Sequence, residues 1–164
     1  MPEHQMLPIF MQQNHEIADA APYNQGTQNR QQEGKTMAHE GLSNKQIVLN
    51  FYQDVFNGWD VSKVADYVAP GYIQHNPTVE DGLAGFEKFI AFFTSLEPRC
   101  EIIRSDEVGD IVYVFFRCTL ANGMVNKVMD IYRLEDGMLA EHWDVVEHDV
   151  AQKEAEAVNA NGIW

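Results

Sequence analysis

The stretch Asp130-Ile131-Tyr132-Arg133-Leu134-Glu135-Asp136-Gly137-Met138-Leu139-Ala140-Glu141-His142-Trp143-Asp144-Val145 decides the fold class. Its residues alternate in character with a period of two on both sides of a Glu-Asp-Gly turn signal, the pattern of two strands joined by a hairpin. The same period extends upstream. Strands are predicted over 100–107, 111–120, 125–134 and 138–147, separated by Gly109-Asp110, Asn122-Gly123 and Glu135-Asp136-Gly137.

Ahead of the strands the period changes to that of helices. Ser43 and Gln46 have capping-box spacing, with Leu42 and Ile47 placed for a hydrophobic staple. Ile47, Val48, Phe51, Tyr52, Val55 and Phe56 then repeat at helical spacing until Asn57-Gly58. A second short helix, capped by Asp60 or Ser62, carries Val64, Tyr67 and Val68 and stops at Pro70-Gly71. Tyr72-Ile73-Gln74-His75-Asn76 reads as a short extended piece, since a residue before proline favours extended backbone. A third helix, capped by Asp81, carries Leu83, Phe86, Phe89, Ile90, Phe93 and Leu96, and ends before Pro98. Helices first and a meander of long strands last make an α+β domain with the helices on one sheet face.

The expected organisation is a Gln/Asn-rich arm over 1–42, a folding unit over 43–148 and a tail over 149–164 with one short helix near 151–158. The first 40 residues hold ten Gln or Asn and few β-branched or aromatic residues, too little apolar surface to offset the entropy of ordering them. Eleven Lys and Arg against 25 Asp and Glu give a formal charge of −14, which argues against nucleic acid and anionic membranes as partners. No apolar run approaches the roughly 20 residues of a membrane span. Met6 to Met11 is a short apolar run preceded by Glu3, not a secretory leader, so the expected location is cytoplasmic. Cys100 and Cys118 have no metal-binding or redox spacing, and Cys118 reads as a small hydrophobe.

Turn chemistry predicts which side chains share a face. Asn122-Gly123 suits a two-residue type I′ turn, which would set Arg117 opposite Val128, Phe115 opposite Asp130 and Tyr113 opposite Tyr132. Glu135-Asp136-Gly137 suits a three-residue loop, which would set Asp130 opposite His142 and Val128 opposite Asp144. One face would then carry Tyr113, Phe115, Arg117, Asp130, Tyr132, His142 and Asp144 as the lining of a pocket beneath the helices. The other would carry Val112, Val114, Phe116, Cys118, Met129, Ile131, Trp143 and Val145, an apolar patch suited to a homodimer contact. A one-residue change in either loop reverses part of this assignment.

Tyr72-Ile73-Gln74-His75-Asn76-Pro77, Asp81-Gly82 opening a Phe-rich helix, Gly109-Asp110, Asp130-Ile131-Tyr132-Arg133 and the run from Asp136 to Val145 occur in an order and spacing that resembles the SnoaL-like family. These are relatives of polyketide cyclases within the nuclear-transport-factor-2-like superfamily, and the resemblance covers about residues 43 to 148. It implies a cystatin-like cone: a strongly curved, mostly antiparallel sheet wrapped around three helices, with a pocket at the wide end, in a protein that is often a dimer. It also implies ring closure by intramolecular aldol condensation, with a carboxylate as acid/base and neither metal nor cofactor. In alignment with those cyclases that carboxylate falls at Glu147 rather than Asp144, and His148-Asp149-Val150 replaces the apolar loop after it.

Asp144 and Asp130 are expected close together among aromatic walls, where burial and mutual repulsion make a carboxylate the stronger base that enolisation near neutrality requires. The expected site has Asp144 removing a proton α to a carbonyl, with His142, His75 or Asn76 donating to the developing enolate oxygen. Asn76, Asp130, Tyr113, Tyr132, Phe115 and Arg117 are the candidate ligand-contacting residues. Arg117 diagonal to Asp130 gives the competing structural reading, a buried ion pair. No metal is expected, since the histidines and carboxylates show no tight ligand spacing. The function predicted is a cofactor-independent lyase or isomerase for a small hydrophobic carbonyl compound. The alternative is a non-catalytic small-molecule-binding or dimeric scaffold domain.

Overall fold

The computed structural model describes residues 39–164. Of the N-terminal arm, residues 1–38 lie outside the described residues. Helix α1 (Asn44–Phe51) starts as the sequence predicts. Ser43 accepts the backbone N–H of Gln46, and the Gln46 side chain returns a bond to the Ser43 N–H. The expected continuous helix does not stay α-helical: Tyr52–Asn57 winds as a π-helical turn and buries Tyr52, Val55 and Phe56. A 3-10 turn (Val61–Lys63) and helix α2 (Val64–Tyr67) follow.

Strand β1 (Val68–Gln74) begins earlier than expected, and its ladder shifts register between Val68 and Ile73. It lies at the sheet edge, where Pro70 leaves no central ladder bond unmade. Helix α3 (Gly82–Thr94) has Asp81 at its N-cap, although the Asp81 carboxylate makes no cap bond. It accepts the backbone N–H of Gln74 at 2.7 Å instead, tying the helix start to the end of β1.

The four long strands are β2 (Arg99–Val108), β3 (Ile111–Thr119), β4 (Val125–Glu135) and β5 (Met138–Glu147). They form one sheet in the order β1-β5-β4-β3-β2, with β1 parallel to β5 and every other pair antiparallel. Helices α1 and α3 cover one face. Phe51, Phe86 and Ile90 of these helices and Tyr52 of the π-helical turn, each no more than 2% exposed, form the core against Val112, Val114, Phe116 and Tyr132. Helix α4 (Val150–Ala155) closes the fold, and the C-terminal Trp164 returns to the sheet.

The two hairpins exchange the turn types the sequence suggests. Thr119 faces Val125, so the β3–β4 loop is Ala121-Asn122-Gly123, with Gly123 left-handed at φ 86°. The Asn122 side chain takes the Met124 N–H at 3.0 Å, a local bond that favours this longer loop. In the β4–β5 hairpin Asp136 and Gly137 are both left-handed (φ 51° and 73°), a two-residue turn with Glu135 facing Met138.

The first exchange turns β3 over relative to β4. Val114 now faces Asp130, Val112 faces Tyr132 and Phe116 faces Val128. The second exchange is cancelled within the hairpin. The turn is one residue shorter than expected, but a register shift between Arg133 and Leu134 adds the residue back in β5. Asp130 therefore faces Asp144 and Tyr132 faces His142, two residues out of the predicted register yet on the predicted common face.

Two expectations are corrected by this geometry. Tyr113, Phe115 and Arg117 lie on the outer sheet face, not in the pocket. Val112, Val114, Phe116 and Cys118 are buried in the core, so they form no part of an apolar dimer face. Met129, Ile131, Trp143 and Val145 stay outside as predicted.

Candidate functional site

The inner face of β4 and β5 brings Asp130, Tyr132, His142 and Asp144 together, and each is held by a specific neighbour. Asp130 is 4% exposed. Its Oδ2 accepts the hydroxyl of Tyr52, delivered by the π-helical turn, and the hydroxyl of Tyr132 at 3.1 Å. Its Oδ1 faces Nε2 of His142 at 3.4 Å. The His142 ring, 6% exposed, stacks on Tyr132 with centroids 4.6 Å apart.

Gln74 sets the orientation of that imidazole. Its Oε1 accepts the backbone N–H of Asn76 at 2.9 Å, which identifies the atom as the amide oxygen. The same oxygen lies 2.9 Å from Nδ1 of His142, so Nδ1 carries a proton and Nε2 is the nitrogen that faces Asp130. Asp144 is half-buried although it points inward, so the fold is open to water at this point. Its Oδ2 accepts from the Asn76 side-chain amide at 2.6 Å, and its Oδ1 has no donor among the described residues.

Two buried polar atoms are left without partners here: Nε2 of His142 and the hydroxyl of Tyr72. Tyr72 is 1% exposed. Burial, followed by the charges of Asp130 and Asp144, pushes its hydroxyl well above the ordinary tyrosine value, so it remains a donor. Tyr52 and Tyr132 are pushed up in the same way, by burial first and Asp130 second. Buried polar atoms without partners carry a cost that a bound oxygen would relieve.

The sequence reading missed Tyr52, Tyr72 and Gln74. The two tyrosines look like core positions by period alone, and only the tertiary fold turns their hydroxyls toward Asp130 and Asp144. Gln74 sits two residues before Asn76 in the quoted motif, and that neighbourhood was the available signal.

Other expected residues are placed elsewhere. His75 is on the outer side, with Nε2 2.8 Å from Glu141 and its ring stacked on Trp143 at 4.7 Å. Arg117 pairs with Glu101 at 3.4 Å and lies over the Trp164 ring, so it does not neutralise Asp130. Tyr113 and Phe115 line an open outer groove of about 510 Å³. Glu147 lies between Lys127 (2.6 Å) and Lys153 (3.0 Å) outside the core, and these partners hold its carboxyl below the ordinary range. One atom each from Asp130, His142 and Asp144 lie within 4.8 Å of one another, so this trio is the metal-capable group among the described residues. Sequence spacing did not reveal it, because two members come from β5 and one from β4.

Residues 48–142 match the SnoaL-like domain family. No functionally curated protein matches the chain. Among solved structures, a proposed polyketide cyclase of Acidithiobacillus ferrooxidans is similar over 73% of this chain and 99% of its own, at 17% identity and a TM-score of 0.60. Wild-type IdmH of Streptomyces antibioticus, a proposed polyketide cyclase, covers 68% of this chain and 98% of its own at 18% identity, with a TM-score of 0.56. An uncharacterized cystatin-fold protein of Novosphingobium aromaticivorans covers 64% and 99% at 18% identity, with a TM-score of 0.59. At these identities the likeness to the three structures is one of fold. Among the described residues no helix is long and apolar enough to cross a membrane.

Proposed function

The chain belongs to the SnoaL-like domain family, and from that premise we propose a cofactor-independent lyase or isomerase acting on a small hydrophobic carbonyl compound. The observation that carries this reading is the directly opposed pair Asp130 and Asp144 on the inner face, with a ring nitrogen of His142 within 4.8 Å of a carboxylate oxygen of each. The two carboxylates are equipped differently. Asp130 is saturated by tyrosine hydroxyls and faces the imidazole, so it holds and polarises His142. Asp144 has one oxygen fixed by Asn76 and the other free.

The reaction follows from that division. Oδ1 of Asp144 takes the proton from the carbon α to the substrate carbonyl, and the electron pair moves onto the carbonyl oxygen. The hydroxyl of Tyr72 and a protonated Nε2 of His142 donate to that oxygen as charge develops, the interaction that lowers such barriers most. Asp144 then returns the proton to a neighbouring carbon, completing an isomerisation. In an aldol closure it returns the proton to the new alkoxide instead. His75, on the outer face, takes no part. Partly buried Leu83, Phe89 and Phe93 pack against the apolar core.

The test uses substituted phenols as enolate mimics and a panel of β-dicarbonyl compounds as substrates. Asp144→Asn is expected to lower turnover at least 100-fold while keeping phenol binding. Turnover that survives intact removes the base assignment, and one equivalent of metal in the purified protein replaces it with a metal centre at the same trio. The alternative, a non-catalytic binding or scaffold domain, draws support from the dense aromatic filling by Phe51, Tyr52, Tyr72 and Phe86.

The outer face keeps Met129, Ile131, Trp143 and Val145, the last 69% exposed, and this remnant supports a homodimer. Light scattering that gives a monomer at micromolar concentration removes that proposal.

A further inference from the structure

Cys100 and Cys118, 18 residues apart in the chain and read from sequence as unpartnered, face each other directly across β2 and β3. The kind of pair they form follows from Asn57. The Cys100 N–H donates to Asn57 Oδ1 at 2.7 Å, and the Asn57 amide donates to the Cys100 carbonyl at 3.0 Å. Both backbone groups of Cys100 therefore point away from β3, the only strand beside β2 among the described residues. Cys100 and Cys118 must then be a non-hydrogen-bonded pair, the closer of the two antiparallel arrangements, with Cα atoms about 4.5 Å apart. That lies inside the roughly 4.4–6.8 Å range that a disulfide spans.

The side chains agree with the backbone. Both residues are on the inner face, 6% and 2% exposed, and both are free thiols. Their side chains extend from directly opposed positions of the same inner face. The neighbouring Cys100 thiol holds Cys118 below the ordinary thiol value, while Cys118 and burial push Cys100 up. One sulfur is thus the nucleophile and the other its proton-bearing neighbour.

We propose that Cys100 and Cys118 form a redox modification site, closing to a cross-strand disulfide when the folded protein meets a small peroxide. The Cys118 sulfur attacks one peroxide oxygen and the O–O bond breaks. Cys118 becomes a sulfenic acid, and one water leaves with the thiol proton. The Cys100 sulfur then attacks the Cys118 sulfur, the S–O bond breaks, and the hydroxyl leaves as a second water with the Cys100 proton. Two thiols are oxidised by two electrons, and one hydrogen peroxide is reduced to two waters. The bond would fasten the edge strand β2 to β3 beside Asn57, on the wall that also carries Phe116. The inference is independent of the catalytic reading.

The experiment treats the folded full-length chain with hydrogen peroxide and measures intact mass under denaturing, non-reducing conditions. The expected product has lost two hydrogens, yields a linked peptide pair containing Cys100 and Cys118, reverts with dithiothreitol and melts several degrees above the reduced protein. C100A should stop at a sulfenic acid that dimedone traps at residue 118, and C118A should react at least tenfold more slowly. Three outcomes overturn the proposal: over-oxidation without linkage, an intermolecular disulfide, or a folded protein whose thiols stay reduced while the unfolded chain oxidises. Should either alanine variant fail to fold, the wild-type linkage map decides alone.

Discussion

Oε1 of Gln74 accepts the Nδ1–H of His142 at 2.9 Å, and because it also takes the Asn76 backbone N–H, the amide cannot be turned the other way round. One side chain thereby fixes both the tautomer and the ring plane of the imidazole. Gln74→Leu removes the acceptor while keeping the shape. Nitrogen NMR should find Nδ1 of His142 protonated in the wild type and only partly so in the variant, at a stability loss of about 1 kcal/mol. An unchanged tautomer in Gln74→Leu would show that something else orients the ring.

Asp130 is the electrostatic centre of the buried cluster, accepting two tyrosine hydroxyls and facing Nε2. Asp130→Ala orphans the two tyrosine hydroxyls and removes the charge facing Nε2, and is expected to cost about 3–5 kcal/mol in urea unfolding. Asp130→Asn should cost less than half of that. The amide oxygen still accepts from the tyrosines, and its NH₂ can donate to a neutral Nε2. Equal losses for the two variants would mean that charge, not hydrogen bonding, holds the cluster.

The parts of this molecule readable from sequence are those set by local rules. The capping box of Ser43 and Gln46, the alternation of β2 to β5 and the turn after Asn57 all need only nearest neighbours. Face assignment failed at one strand for a countable reason. Asn122-Gly123 satisfies both a two-residue and a three-residue loop, and one residue of difference sends Tyr113, Phe115 and Arg117 outside. Asp130, Tyr132, His142 and Asp144 stayed together only because a short turn and a register shift cancelled. Tyr52 could not be read as a site residue, since it sits on the buried stripe and reaches Asp130 only through the π-helical turn.

Asn57 performs at the edge of the sheet what a further strand would otherwise do. Its amide pairs with both backbone groups of Cys100, at 2.7 and 3.0 Å, so β2 begins without exposed ladder groups. Asn57→Ala is expected to lose about 1–3 kcal/mol. Hydrogen exchange should report the Cys100 amide opening well before the centre of β3. Protection at Cys100 equal to that of Val114 in the variant would contradict this role.

Acid should act first on the outer ladder. His75 and then Arg133 hold the Glu141 carboxyl below its ordinary value of 4.5. Lys127 and then Lys153 do the same for Glu147. A carboxylate depressed in the folded state contributes stability that is complete above 4.5 and lost as pH falls through the folded value. Melting temperature should therefore be flat from pH 7 to 5 and fall below 4.5. In Glu141→Gln the drop between pH 7 and 3 should shrink by a few degrees, modestly because the pair is only partly shielded from water. An identical drop in both proteins would assign acid sensitivity elsewhere.

Two tyrosines of the same core offer opposite predictions. The Tyr52 hydroxyl donates to the Asp130 carboxylate, a bond to a charged acceptor, so Tyr52→Phe is expected to cost about 1.5–3 kcal/mol. The Tyr72 hydroxyl is equally buried but has no hydrogen-bond partner among the described residues, so Tyr72→Phe removes an unsatisfied polar atom. Its stability should be unchanged or raised by up to about 1 kcal/mol. Phenol binding should move the other way, weakening at least about fivefold in Tyr72→Phe, the equivalent of losing one hydrogen bond of about 1 kcal/mol. A Tyr72→Phe protein that is destabilised and binds phenol as the wild type does would make Tyr72 a structural residue and leave His142 as the only donor to the substrate oxygen.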